Sequence, residues 1–330
     1  MVDRMLDPRD AALVDLGRQL QRRGYCFTTV TPTTHARVNG RSGNEVASTI
    51  EDIFGWSRPF SPEMLPDDLL RTLYDGDAMV RHGDLCRSTV RFSTLEQQLF
   101  MHSAFPTEAS DAVFFGPDTY RFASALRSAF CRNGNESAVT IVDIGCGSGV
   151  GGLYLRSLLP AHIPVDLILS DINPAATRFA AINAAINGCG QVRTVQSDVV
   201  SRISELADII IANPPYLVDG AERVYRHGGG ALGFDLSLRI VEESLPHLAP
   251  GGRLLLYTGA PIIQGADKFR EAIIQRLSGC SYTYEECDPD VFGEELDAPS
   301  YASVDRIAAV VLNVTAHGGT RHGPHISSQH

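Results

Sequence analysis

From Val139 onward, short runs rich in β-branched residues alternate with amphipathic stretches, and this alternation narrows the fold more than any other feature of the chain. Strands separated by helical pattern pair in parallel, because a crossover helix carries the chain back to the starting edge. The candidate strands are residues 139–145, 165–171, 192–198, 208–214 and 252–259, with helices expected near 149–159, 174–187, 232–248 and 265–279. Two further strands, 281–287 and 304–314, flank a loop too rich in proline and acid for a crossover helix, so a hairpin-like end is expected there. The fold class is therefore α/β, a seven-stranded sheet with helices on both faces.

Residues 1–110 read differently. A helix is expected at 8–23 and another from Asp67, followed by "MVRHGDLCRSTVRFSTLEQQLFMHS", in which "RHGD" separates two hairpin-like runs. Helix followed by hairpin is the outline of a small winged module. The expected organisation is a smaller N-terminal α+β domain over 1–110, serving substrate recognition or as a lid, the α/β domain over 111–315, and a disordered Gly-, His- and Ser-rich tail over 316–330. Histidines isolated on such a tail do not assemble a site, and no metal is expected. The seven cysteines show no Cys-x-x-Cys spacing, which argues against a disulfide framework or structural zinc.

Composition sets the remaining bounds. No apolar run approaches the roughly 20 residues of a membrane span, and the N-terminus lacks the apolar core of a signal peptide, so a cytoplasmic protein is expected. A formal net charge of −11 opposes non-specific attraction to phosphate backbones, although Arg81, Arg87 and Arg91 offer a local basic face.

The chemistry is carried by the ends of the first four α/β strands. In "VDIGCGSGVGG", residues 142–152, a strand led by Asp143 runs into Gly145, Gly147 and Gly149, which let the backbone turn sharply and approach a ligand ahead of a helix N-terminus. Gly147, Gly149 and Gly152 also satisfy G-x-G-x-x-G, so the loop alone is ambiguous. Asp171, with Ile172 beside it, ends the second strand, where a carboxylate accepts both hydroxyls of a ribose; NAD and S-adenosylmethionine fit equally well. Capping the next helix is its other role. Asp198, after the third strand, can accept from an adenine amine while Val199 packs on the ring. The fourth strand stops on Asn213-Pro214-Pro215-Tyr216, because prolines cannot donate to a sheet ladder.

Taken in order, Asp143 with the glycines, Asp171, Asp198 and then NPPY resemble class I S-adenosylmethionine-dependent methyltransferases over roughly residues 112–315. Within that class the chain is most similar to the HemK-type protein-(glutamine-N5) methyltransferases. "FFGPDTYRF" (114–122) resembles their proline-containing segment before the first strand, and "YRHGGGALGFDLSLRIVEESLPHLAPGGRLLLYTG" resembles their glycine segments. The resemblance implies a Rossmann-like methyltransferase sheet and S-adenosylmethionine as cofactor, held by Asp143, Gly145, Gly147, Gly149, Asp171, Ile172, Asp198, Val199 and Asn213. It also implies catalysis by Asn213, Pro214 and Tyr216, with Pro215, Phe115, Pro117 and Thr119 on the acceptor side.

The acceptor implied is a planar nitrogen, first a glutamine side chain of a release factor or ribosomal protein. A nucleobase amino group of RNA or DNA is the second reading, a small molecule the third, and a non-catalytic S-adenosylmethionine sensor the alternative outside enzymes. Two departures bear on the acceptor: residues 1–110 do not resemble the helical bundle that recognises release factors, and Gly116 replaces the charged residue expected beside Pro117. "HGGG" at 227–230 lacks a G-x-S-x-G partner, which argues against a hydrolase. Cys146 reads as a small filler.

Overall fold

The computed structural model describes residues 6–107, 109–130, 138–190, 192–220, 223 and 225–316, so the expected tail lies outside the described residues beyond Ala316. Four helices open the chain: α1 (Pro8–Arg22), α2 (Pro32–Asn39), α3 (Ile50–Phe54) and α4 (Asp67–Asp75). Helix α2 falls in a stretch whose threonines and valine conceal it in the sequence. Its start is fixed by cap chemistry: the Thr31 hydroxyl accepts from the Thr34 N–H at 3.2 Å, and Pro32 supplies a preset first turn. Two antiparallel hairpins follow, β1 (Met79–His82) with β2 (Leu85–Ser88) and β3 (Val90–Leu95) with β4 (Gln98–Ser103), where the sequence suggested a single hairpin about "RHGD".

Helix α5 (Pro117–Phe130) leads into the main sheet. In chain order the elements are β5 (Val139–Ile144), α6 (Val150–Leu158), β6 (Val165–Asp171), α7 (Pro174–Ile186), β7 (Val192–Gln196), β8 (Ala207–Ala212) and α8 (Asp235–Ser244). There follow β9 (Leu248–Ile263), the short β10 (Ala266–Asp267), α9 (Lys268–Ile274), β11 (Ser281–Asp288) and β12 (Arg306–Thr315). The order across the sheet is β11-β12-β9-β8-β5-β6-β7, parallel from β7 to β9, with β12 antiparallel to both neighbours. The hairpin-like end is thus present, and the sheet is the expected Rossmann-like α/β type. Helix α8 starts later than the pattern suggested because Gly229, Gly230 and Gly233 hold positive φ in a turn just before it.

Apolar side chains cover both faces of the sheet, and a third cluster joins the N-terminal elements to one face of α7 through Ala176, Phe179, Ile182 and Ile186. Each large apolar side chain of α7 buried there stabilises the contact by roughly 1.5–3 kcal/mol. Two asparagines complete the join. Asn183 accepts from the Met101 N–H at 2.7 Å and donates to the Met101 carbonyl at 2.9 Å, and Asn187 does the same for Leu99 at 3.1 and 2.8 Å. Side-chain amides of α7 thereby act as a neighbouring strand for the free edge of β4, removing the unpaired backbone groups an edge strand presents. The second Asn183 amide hydrogen reaches the Ser148 carbonyl at 2.8 Å, in the loop after β5.

Candidate active site

Strand register brings the sequence-predicted residues together. Ile144, the last residue of β5, sits opposite Ser170 of β6 and Ala212 of β8, so Gly145, Asp171 and Asn213 leave the sheet at one level, along its carboxyl edge. The strand order reverses between β5 and β8, and ligands of open α/β sheets bind in the crevice at that switch point. A cavity of about 680 Å³ lies there, within the size range of small-molecule sites.

Its floor is the glycine loop. Gly145 and Gly147 have φ of +65° and +53° with open space where a side chain would stand, so bare backbone faces the cavity. Gly149 and Gly152 serve packing instead. A Cβ at Gly149 would sit 3.1 Å from the Ala180 and Leu169 side chains, and one at Gly152 2.5 Å from Leu169, so both let α6 press on the sheet. Ser148, also in the loop and on the cavity wall, keeps a buried hydroxyl without a partner among the described residues. The glycine spacing alone does not single it out.

Two buried acids stand at the strand ends. Asp171 accepts from the Gly147 N–H at 2.8 Å and the Asn173 N–H at 2.9 Å, while Asn173, not Asp171, caps α7 by accepting from the Ala175 N–H at 2.9 Å. Asp143 accepts from the Gly152 N–H at 2.7 Å, and burial raises its carboxyl to about 7 despite that bond. A folded-state value above the unfolded one means the folded protein holds the extra proton between pH 3.8 and about 7, so this group's contribution to stability declines as pH rises through that window. Asp143→Asn, which keeps an acceptor for Gly152, is expected to remove that decline. Denaturant titrations without ligand should show the variant gaining on the parent between pH 5 and pH 8, and parallel pH profiles would contradict it.

Ile172 and Val199 also line the cavity, the former an apolar side chain 52% exposed, the latter buried at an unusual φ of +48°. Asp198, expected to accept from an adenine amine, lines the cavity and takes the Arg239 guanidinium on one carboxylate oxygen at 2.7 Å. A bare-backbone loop, an orphaned hydroxyl, two strand-end acids and an exposed apolar side chain fit a nucleoside-bearing cofactor.

On the acceptor side, Asn213, Pro214, Pro215, Tyr216, Pro117 and Thr119 line the same cavity. Asn213 is half-buried at the end of β8, and its side-chain amide makes no hydrogen bond among the described residues. Phe115 is not brought to the cavity; it is buried behind it, stacked at 5.2 Å on His102. Tyr216 is anchored by a residue the sequence reading overlooked. Its hydroxyl donates to Asp118 at 2.7 Å, and the Tyr257 hydroxyl donates to the other Asp118 oxygen at 2.9 Å. In the first turn of α5 Asp118 resembles an ordinary helix-start acid, and only the fold reveals its partners.

Removing that acceptor would strand buried hydroxyls at a cost of about 1–3 kcal/mol each. Asp118→Ala is accordingly expected to lower the melting temperature and to loosen Tyr216, whereas Asp118→Asn restores part of both losses. Near-ultraviolet circular dichroism with thermal melts checks this, and an unchanged tyrosine signal in the alanine variant would refute the anchoring. Gly116 is explained as well: the Phe114 ring lies 2.5 Å from where its Cβ would be, and Phe114 in turn stacks at 5.8 Å on Tyr225, whose hydroxyl donates to the Thr107 carbonyl at 2.7 Å.

With this strand order and these strand ends on one cavity, the fold is of the Rossmann-like α/β class. Residues 122–261 match the family model of the methyltransferase small domain. Over 163 residues the chain is 30% identical to a release factor glutamine methyltransferase of Cereibacter sphaeroides, an overlap of 44% of this chain and 58% of the relative. Over 120 residues it is 31% identical to a ribosomal RNA small subunit methyltransferase C of Pasteurella multocida, covering 36% and 32% of the two chains. The chain thus spans between about a third and three fifths of the length of these curated relatives. Among solved structures, a T. thermophilus 16S rRNA N2 methyltransferase in complex with AdoMet and guanosine is similar at 15% identity and a TM-score of 0.45, covering 79% of this chain and 64% of the other. No described helix is long and apolar enough to cross a membrane.

Proposed function

We propose that this protein transfers a methyl group from S-adenosylmethionine to a planar nitrogen, and that its acceptor is a glutamine side chain of a protein such as a release factor or ribosomal protein. The observation that carries the reading is Asn213-Pro214 at the strand end, on the same cavity as the glycine loop and Asp171. Gly145, Gly147, Asp171 and Asp143 would hold the cofactor, which supplies an electrophilic methyl when bound. An amide nitrogen is a poor nucleophile because its lone pair is delocalised. The Asn213 side-chain oxygen and the Pro214 carbonyl accept its two N–H bonds, orient the lone pair and stabilise the positive charge that develops as it localises. No strong base is required: the C–S bond breaks to leave a neutral thioether, and the methylated nitrogen, now acidic, releases one N–H proton to solvent. Tyr216, held by Asp118, and the two prolines keep these acceptors fixed.

Charge around the cavity supports a neutral acceptor over a phosphodiester one. Each arginine on its wall is already engaged by carboxylates: Arg121 by Asp118 and Asp288, Arg223 by Asp219, and Arg226 by Asp219 and Glu295. The exposed Asp290 and Glu294 also line the cavity and add negative charge. We propose further that residues 1–110 recognise the acceptor, since Thr31, Pro32 and Phe105 form part of the cavity wall.

Methyl-labelled S-adenosylmethionine, incubated with the protein and an extract of its own organism lacking the enzyme, tests the assignment. Label on protein, resolved by mass spectrometry to a methylated glutamine, is the expected result. Label in RNA, DNA or a metabolite would replace the acceptor while keeping the chemistry, and absence of label throughout would favour a sensor.

A further inference from the structure

Among the described residues, one buried cation has no counter-ion. Arg91 of β3 is 4% exposed, and its Nε and one terminal nitrogen have no hydrogen-bond partner among the described residues. The ionisable groups beside it include the neutral Tyr25 and Tyr120 hydroxyls, and no salt bridge from a carboxylate reaches it among the described residues. The Tyr25 hydroxyl is already donating to the Phe92 carbonyl at 2.9 Å, and Tyr120 accepts from the Thr29 N–H at 3.0 Å. The guanidinium packs over the Phe27 ring at 5.7 Å, which offers a cation far less than an anion does. Burying a charge without partner or hydration costs several kcal/mol, so an unpaired arginine is either hydrated or a receptor for an anion.

The surroundings favour a receptor. His102 lies directly across the hairpin from Arg91, with its Nε2 on the Ser93 hydroxyl at 2.8 Å, and Ser93 is bonded in turn to Thr29. Burial, reinforced by Arg91, holds His35 down at about 4 and His102 well below its usual range, so both rings are neutral and Arg91 supplies the formal charge. The cluster backs onto the cavity: the His35 ring lies 4.1 Å from that of Phe105, and Thr31 and Pro32, which line the cavity, begin the helix bearing His35.

We propose that Arg91 binds a compact oxyanion, a free phosphate, sulfate or small carboxylate, behind the cavity wall. Nothing in the methyl-transfer chemistry requires this site, so its fate and that of the proposed function are separable.

The test uses the full-length protein and inorganic phosphate, sulfate and acetate as separate probes, each compared with chloride at equal ionic strength. Equilibrium dialysis with labelled phosphate or sulfate should give one saturable site per chain, and the apparent melting temperature should rise by about 2 °C or more at tenfold excess over Kd. Acetate acting where phosphate and sulfate do not would assign the site to a carboxylate. Arg91→Met should abolish the saturable response, and Arg91→Lys should retain a weakened one. The wild-type dialysis decides the matter even if the methionine variant fails to fold: absence of a saturable site for every probe overturns the proposal, as does equal binding by a folded Arg91→Met.

Discussion

Replacing Asn213 with alanine is expected to cut methyl transfer by at least about 100-fold while leaving S-adenosylmethionine affinity close to that of the parent protein. Removing one preorganised acceptor or donor at a developing charge typically costs 10²–10³ in turnover. The residue stands one position beyond β8, half-buried on the cavity wall, and no described hydrogen bond ties its side chain into the fold, so truncating it should leave the scaffold intact. Single-turnover kinetics with the identified acceptor, beside calorimetric titration of the cofactor, separates the two quantities. Full turnover in the variant would remove Asn213 from the mechanism. A fall in cofactor affinity equal to the fall in turnover would move it to the cofactor side, where the sequence also placed it.

Asp171→Ala is expected to act in the opposite sense, raising the cofactor dissociation constant by about 100-fold or more. Two contributions add. The variant loses a carboxylate that can accept ribose hydroxyls, and it releases the Gly147 and Asn173 N–H groups that now bond to it at 2.8 and 2.9 Å. Hydrogen bonds to a charged group are worth about 1.5–3 kcal/mol each, so the glycine loop should also lose order. Calorimetric titration measures the affinity, and amide exchange at Gly147 measures the loop. Unchanged affinity with increased exchange would make Asp171 a purely structural acceptor.

What could be read from the sequence was what local periodicity and punctuation encode. The strand at 165–171 is found as expected, and β5 and β8 end within two residues of their expected limits, because β-branched runs closed by glycine or proline leave little latitude. Residues that act through distant partners were not readable. Asp118 is 98 positions from Tyr216 and 139 from Tyr257, and no local pattern announces either bond. The salt bridge between Asp198 and Arg239 spans 41 positions and changes what that carboxylate can do. Helix α2 was hidden for a different reason: its threonines and valine have weak helix propensity, and the capping threonine with the proline after it decides the outcome.

The amide of Asn183 touches both Met101 in the N-terminal hairpin and Ser148 in the loop below the cavity. A protein built this way is not a catalytic cassette with an interchangeable front end. Trimming the chain ahead of β5 would leave β4's partner amides empty and the apolar face of α7 in water, and the same cut would withdraw a support from the loop. Grafting another recognition segment therefore means matching α7 residue for residue.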